Sequence, residues 1–439
     1  MKKGNWKALL PIAVFLIMYL GLGILFEYVL LIPMGFYNIP IVVSFLTALL
    51  VACLQNPSLK FDDKLAVIAR GVGDKNIITM ILIFMAAGIF VGVVGRGSAE
   101  SVAYFLLSII PARFAVLVLF IVSCFVSLAM GTSVGTITLI TPIAIAVSNG
   151  SGFSAPLCVG AVMGGAMFGD NLSFISDTTI AACNGQGCAM RDKFKANFGI
   201  AFPAAIATLV IILIRTAGGA PGDAIIKDYD LIQVIPYILV LIGGIVGINV
   251  FVVLLIGIVS GSVIMLATGA TQATDLLANM GNGAAGMYET TMVAILVSAI
   301  CALIQEYDGF TALLSFIRRI FKSQKGGKLG MGLLVGAMDV ATANNTVAIV
   351  MANPIAKEMA EDYDITPQTT ASILDTFSCI FQGVIPYGAQ MLVAISAATE
   401  LGCDISAFDI MPNLYYPYLL LVSSLVFMFF APKRKKKGR

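Results

Sequence analysis

Apolar stretches near the length needed to cross a bilayer recur along the whole chain, and they constrain its fold more than any other feature. They fall at about 8–31, 37–55, 76–95, 113–131, 133–149, 155–182, 198–217, 230–247, 249–268, 287–305, 328–340, 344–360, 368–398 and 411–431. A helix needs roughly 20 apolar residues to span the hydrocarbon core. In that medium the backbone finds no water and must bond within its own segment. Of the 439 residues, 59% are hydrophobic and 11% charged, whereas a soluble domain averages about 25% charged. The fold class expected is an all-α polytopic membrane protein.

Charge sets the expected topology. Basic residues gather at the N-terminus, at Lys60, Lys64, Arg70 and Lys75, at Arg191, Lys193 and Lys195, between Arg318 and Lys328, and in the tail. The stretch 270–287 has no Lys or Arg. The positive-inside rule puts the five basic groups, and both termini, in the cytoplasm. The first apolar stretch follows Lys2, Lys3 and Lys7 but is too long for a signal peptide and lacks a small-residue cleavage site, so it reads as a retained helix.

The two halves match at a constant offset of 212 residues. Thr141-Pro142-Ile143-Ala144 meets Asn353-Pro354-Ile355-Ala356, Gly131-Thr132-Ser133 meets Ala343-Asn344-Asn345, and Asp170 falls on Gln382. Residues 1–217 and 230–431 are expected to be two repeats, with 218–229 an external linker and 432–439 a basic cytoplasmic tail. On the charge map each repeat crosses an odd number of times, so the pair is inverted. Inverted repeats with interrupted transmembrane helices and re-entrant hairpins near the midplane are the architecture of secondary transporters.

Three polar constellations interrupt the apolar sequence. The first is a pair of tips, Gly131-Thr132-Ser133-Val134-Gly135-Thr136 and Thr342-Ala343-Asn344-Asn345-Thr346. Glycine relaxes the backbone while hydroxyls and amides supply neutral oxygens, so Thr132, Ser133, Thr136, Asn344, Asn345 and Thr346 are candidate ligands. Ordinary small-residue packing is the bland alternative. The second constellation holds Asp170, Asn171, Ser173, Ser176, Asp177, Thr178 and Thr179 within eleven residues. Carboxylates in a span are costly and mark ion or proton paths; Asp170 and Asp177 are the candidate Na+ ligands, with Asn171, Ser173, Ser176 and Thr178 beside them. The third offers Asp375 and Gln382, the latter a neutral counterpart of Asp170. Asp339, just before the second tip, admits a coordinating or a structural role.

Other chemistry is excluded or bland. The chain has no histidine, which removes imidazole relays and the usual zinc-protease motif. Its eight cysteines lie mostly in apolar runs and read as free thiols. No nucleotide-binding loop is present, so neither an enzyme nor a cofactor is expected. A channel is disfavoured by the inverted halves and the lack of a repeated carboxylate ring.

The run Gly131-Thr132-Ser133-Val134-Gly135-Thr136, followed by Phe168-Gly169-Asp170-Asn171-Leu172-Ser173-Phe174-Ile175-Ser176-Asp177-Thr178-Thr179, resembles the NhaC family of Na+/H+ antiporters within the wider ion-transporter superfamily. Length, span count and order agree over nearly the whole chain. The resemblance implies a multi-pass protein of the bacterial or archaeal inner membrane, with the motif acids at the ion site and hairpins meeting near the midplane. Members often carry a histidine or another small polar residue after the Gly-Asp pair. The reading Asp170-Asn171-Leu172-Ser173 supports sodium coupling better than it supports H+ as counter-substrate.

The function expected is exchange of Na+ for H+ by alternating access, with Asp170 binding the two cations competitively. Asp177, Thr132 and Ser133 would assist. The alternative is a Na+- or H+-coupled transporter of an organic acid or amino acid, with Asn344, Asn345 and Gln382 lining its pocket. The partners expected are Na+ and H+, a small organic anion or amino acid in the alternative reading, and the lipid bilayer, with no nucleic acid.

Overall fold

A computed structural model describes residues 4–31, 39–174, 176–218, 228–246 and 248–430. Most of the linker expected over 218–229 and the whole tail over 432–439 lie outside the described residues. The described chain is helical throughout. Eight helices are long and apolar enough to cross a membrane, and ten if two bent pairs each count as one span. Ile41–Leu54 and Leu231–Gly243 are apolar but shorter.

Helix boundaries follow local chemistry, and they recur. The first helix pair joins Ala115–Met130 to Ser133–Ser151, and the second joins Gln324–Thr342 to Asn345–Asp362. Next come two interrupted helices, Ala155–Leu172 with Asp177–Gln186 and Pro367–Val384 with Ala389–Glu400. Ser133 and Asn345, Ala155 and Pro367, Leu172 and Val384, and Asp177 and Ala389 are boundary residues, and each pair stands 212 apart. Pro142 and Pro354, inside their helices, keep the same spacing.

The halves are interlocked. Asp177–Gln186 packs on Asn345–Asp362, Ala389–Glu400 packs on Ser133–Ser151, and the long helices Met190–Thr216 and Tyr415–Phe430 pack on each other. Asn353 fixes the first of these contacts: its amide donates to Ala181 O at 2.9 Å and its Oδ1 accepts from Gln186 Nε2 at 2.9 Å. Lys75–Ile109 breaks at Gly95, whose φ of 62° is open to glycine. Its first part lies against Ala273–Gly286 at backbone distance. A methyl built on Gly88 would stand 2.0 Å from Gly283 O, and one on Gly92 would stand 2.2 Å from Asn279 O.

Candidate functional site

Each helix pair turns on two residues. Gly131 closes Ala115–Met130 in the left-handed region (φ 70°), and its amide donates to Ser127 O at 2.8 Å. Thr132 is extended and caps the next helix, accepting from Gly135 N at 3.3 Å. The second tip repeats this conformation. Ala343 is left-handed (φ 48°) and donates to Asp339 O at 2.7 Å, while extended Asn344 accepts from Val347 N at 3.0 Å. The left-handed residue satisfies a terminal carbonyl and the cap satisfies a terminal amide. The polar tips of the sequence are therefore helix caps first, which explains their Thr and Asn.

The tips and the breaks of the interrupted helices enclose a cavity of about 80 Å³. Thr132, Ser133, Asp170, Asp177, Thr178, Asn344, Asn345, Thr346 and Gln382 line it, nine of the residues anticipated from sequence. Asp170 is 5% exposed, and its Oδ2 accepts from Ser133 Oγ at 2.9 Å. Ser133 Oγ in turn accepts from Gln390 Nε2 of the second half at 2.8 Å. Asp170 stands in the last turn of Ala155–Leu172, where the helix already carries partial negative charge. Asp177 opens the following helix and is exposed at the cavity rim. Two carboxylates among hydroxyl and amide oxygens, with room for about two or three waters, suit a small hard cation.

Five anticipated residues do not line the cavity. Thr136 lies one turn into its helix and donates to Thr132 O at 2.8 Å. Asn171 points away from the cavity, donating to Cys379 Sγ at 3.3 Å and to Tyr416 OH at 3.4 Å. Ser173 is buried beside the break, and Ser176 caps Asp177–Gln186 through Thr179 N at 3.1 Å. Asp375 is held instead in an ion pair, 2.5 Å from Lys193 Nζ, with both side chains 1% exposed.

Lys193, which the charge map groups with Arg191 and Lys195, is buried. It lies in the first turns of Met190–Thr216 and reaches into the bundle. Its ammonium also donates to Asn171 O at 2.9 Å and to Thr179 Oγ1 at 2.8 Å, so all three donors are used. Asn197 completes the cluster, donating to Asn171 O at 2.8 Å and to Asp375 Oδ2 at 3.0 Å. Its Oδ1 accepts from Ser372 and Thr376, each at 2.7 Å. Lys193 thus clasps both sides of the first break to the second half. Its flanking basic residues made it read as a loop charge, and only a carboxylate 182 positions away in sequence, Asp375, reveals its place. The wall formed by Thr79, Met80 and Ile83 was likewise not anticipated. Met80 Sδ accepts from Asn344 Nδ2 at 2.8 Å, but within the sequence it is one apolar residue among many.

Comparison with known proteins bears on this arrangement. The chain is 24% identical to the Na(+)/H(+) antiporter NhaC of Bacillus subtilis over 402 residues, covering 82% of this chain and 86% of that one. It is 28% identical over 180 residues to a malate-2H(+)/Na(+)-lactate antiporter of the same organism, covering 41% of this chain and 38% of that protein's length. A looser likeness extends to the solved YdaH transporter of Alcanivorax borkumensis, with a TM-score of 0.39 and 13% identity over 81% of this chain and 86% of that one. The profile of the Na+/H+ antiporter family matches residues 4–218 and 230–431, nearly the whole chain. The chain belongs to the Na+/H+ antiporter family.

Proposed function

We propose that this protein exchanges Na+ for H+ across the inner membrane by alternating access, with Asp170 as the residue over which the two cations compete. The observation that carries this reading is the cavity at the paired tips, in which a nearly buried carboxylate meets hydroxyl and amide oxygens. Ionised Asp170 binds Na+ with help from Asp177, Thr132 and Ser133. Protonation of Asp170 removes the charge that holds Na+, and arrival of Na+ expels the proton. Any unequal exchange of charge couples to the membrane potential by about 2.3 kcal/mol per charge per 100 mV. Family membership and the NhaC relative support the same exchange.

The architecture that goes with it is two inverted repeats, 1–217 and 230–431, joined outside the cell and with both termini in the cytoplasm. Recurrence of helix boundaries at 212 residues and the exchanged packing between halves support a two-fold relation. The charge pattern supports its inverted sense.

The partial match to a malate and lactate antiporter favours a second reading, coupling to an organic acid at Asn344, Asn345 and Gln382. Size argues against it in this conformation. Small-molecule pockets run to about 300–1,000 Å³, and this cavity has about 80 Å³. Purified protein in liposomes separates the two readings. Na+ should dissipate an imposed pH gradient with no organic solute present. Proton movement that waits for an added organic acid or amino acid would overturn the exchange reading.

A further inference from the structure

Asp339 lies in the last turn of Gln324–Thr342 and is fully buried, with 0% exposure. Neither of its carboxylate oxygens has a side-chain hydrogen-bond partner, and the backbone of Gln382 is the group that acts favourably on it. On the facing helix, Gln382 Oε1 is also buried without a donor, while Gln382 Nε2 donates to Ala343 O at 3.1 Å. Orphaned buried polar atoms are rare and call for a physical reason. The side chains around Asp339 supply no charge to balance it. Tyr387 donates its hydroxyl to Val340 O at 2.8 Å, and Cys301 Sγ donates to Ala341 O at 3.4 Å. Among the described residues no lysine or arginine pairs with it.

The 212-residue register gives this position meaning. Asp339 corresponds to Ser127 and Gln382 corresponds to Asp170. Each half therefore has a carboxylate where its helix pair meets its interrupted helix, Asp170 with Asp177 in the first and Asp339 in the second, but on opposite partners. In the first half the acid is on the interrupted helix and lines the cavity. In the second it is on the helix pair and is not among the residues that line the cavity. An ionised carboxylate in such a place costs several kcal/mol, and a sodium ion would need both space and several oxygens. A proton needs neither, and it removes the charge from a buried carboxyl that no lysine or arginine among the described residues balances.

We propose that Asp339 is a second proton-carrying carboxyl, loaded in this conformation and unloaded when the second tip moves. Each turnover then carries one proton beyond the one exchanged at Asp170. The proton comes from water on one side and returns to water on the other. The proposal rests on the exchange reading above, and the experiment keeps the two apart. In liposomes, the Na+ gradient that nulls proton flux at a set pH difference and membrane potential gives the H+ to Na+ ratio. Asp339→Asn should lower that ratio by one proton per Na+; a ratio equal to that of the unaltered protein overturns the proposal. Full Na+-driven proton flux in Asp170→Asn would instead overturn the exchange reading. Should Asp339→Asn fail to fold, infrared spectroscopy of Asp170→Asn offers a second measurement. It should show a protonated carboxyl band that Na+ does not displace and that Asp339→Glu shifts. Absence of such a band, or a band that Asp339→Glu leaves in place, also overturns the proposal.

Discussion

The two tips share a backbone and differ in their chemistry. Both close a helix with a left-handed residue and open the next with an extended cap. Yet the first presents Ser133 to a carboxylate at the cavity wall, while the second lines the same cavity with Asn345 and takes the amide of Gln382 on the carbonyl of Ala343. The fold therefore fixes where a ligand can sit, and the side chains decide whether that place carries charge. On the proposed exchange the two tips divide the labour, the first helping to hold the ion and the second shaping the space around it.

The largest expected effect tests this division directly. Asp170→Asn should abolish Na+-dependent proton flux in liposomes, while Gln382→Asn should leave flux measurable. Equal loss in both would mean that the halves are not divided in this way.

Next comes the clasp. Lys193→Met strands Asp375 inside the bundle and should cost about 3–5 kcal/mol of stability, read as thermal unfolding of the purified protein in detergent. Adding Asp375→Leu should recover most of that loss, because replacing a whole buried pair with apolar groups is often neutral. Failure of the double variant to recover would give the pair a role beyond charge balance.

Ser133→Ala removes the hydroxyl that bonds Asp170 and should weaken Na+ binding about tenfold, or roughly 1.4 kcal/mol. The corresponding change Asn345→Ala should weaken it less. Titration calorimetry with Na+ would rank them, and the reverse order would move the charged site to the second tip.

The smallest effect concerns backbone alone. Alanine in the left-handed region costs about 1–2 kcal/mol relative to glycine. Ala343→Gly should therefore stabilise the protein by about 1 kcal/mol, and Gly131→Ala should destabilise it by a similar amount. Opposite shifts in unfolding temperature would show that the tips share one strained geometry.

Much of this was legible in the sequence because membrane helices and caps write locally. Apolar length marks the spans, and Thr132 and Asn344 announce helix starts through their own side chains. The 212-residue offset sets Asp170 and Gln382 in one frame. What escaped was partnership across space. Lys193 beside Arg191 and Lys195 looks like a loop charge until Asp375 is placed next to it. Asn171 adjoins Asp170 in sequence, but one residue along a helix turns the side chain about 100°, toward Cys379 and Tyr416. Gln390, which holds Ser133 from the opposite half, was one amide in a polar stretch.

The contact of Gly88 and Gly92 with Ala273–Gly286 has a consequence for inheritance. Across most of a membrane bundle one apolar residue can replace another with little penalty, so a lineage can drift there. At Gly88 and Gly283 each backbone occupies the space that the other's first side-chain carbon would need. The smallest possible step, a single methyl, separates the two helices. Descendants that changed their ion, or lost transport and kept the fold, would still have to keep these glycines. That demand comes from the packing of the scaffold and not from what it carries.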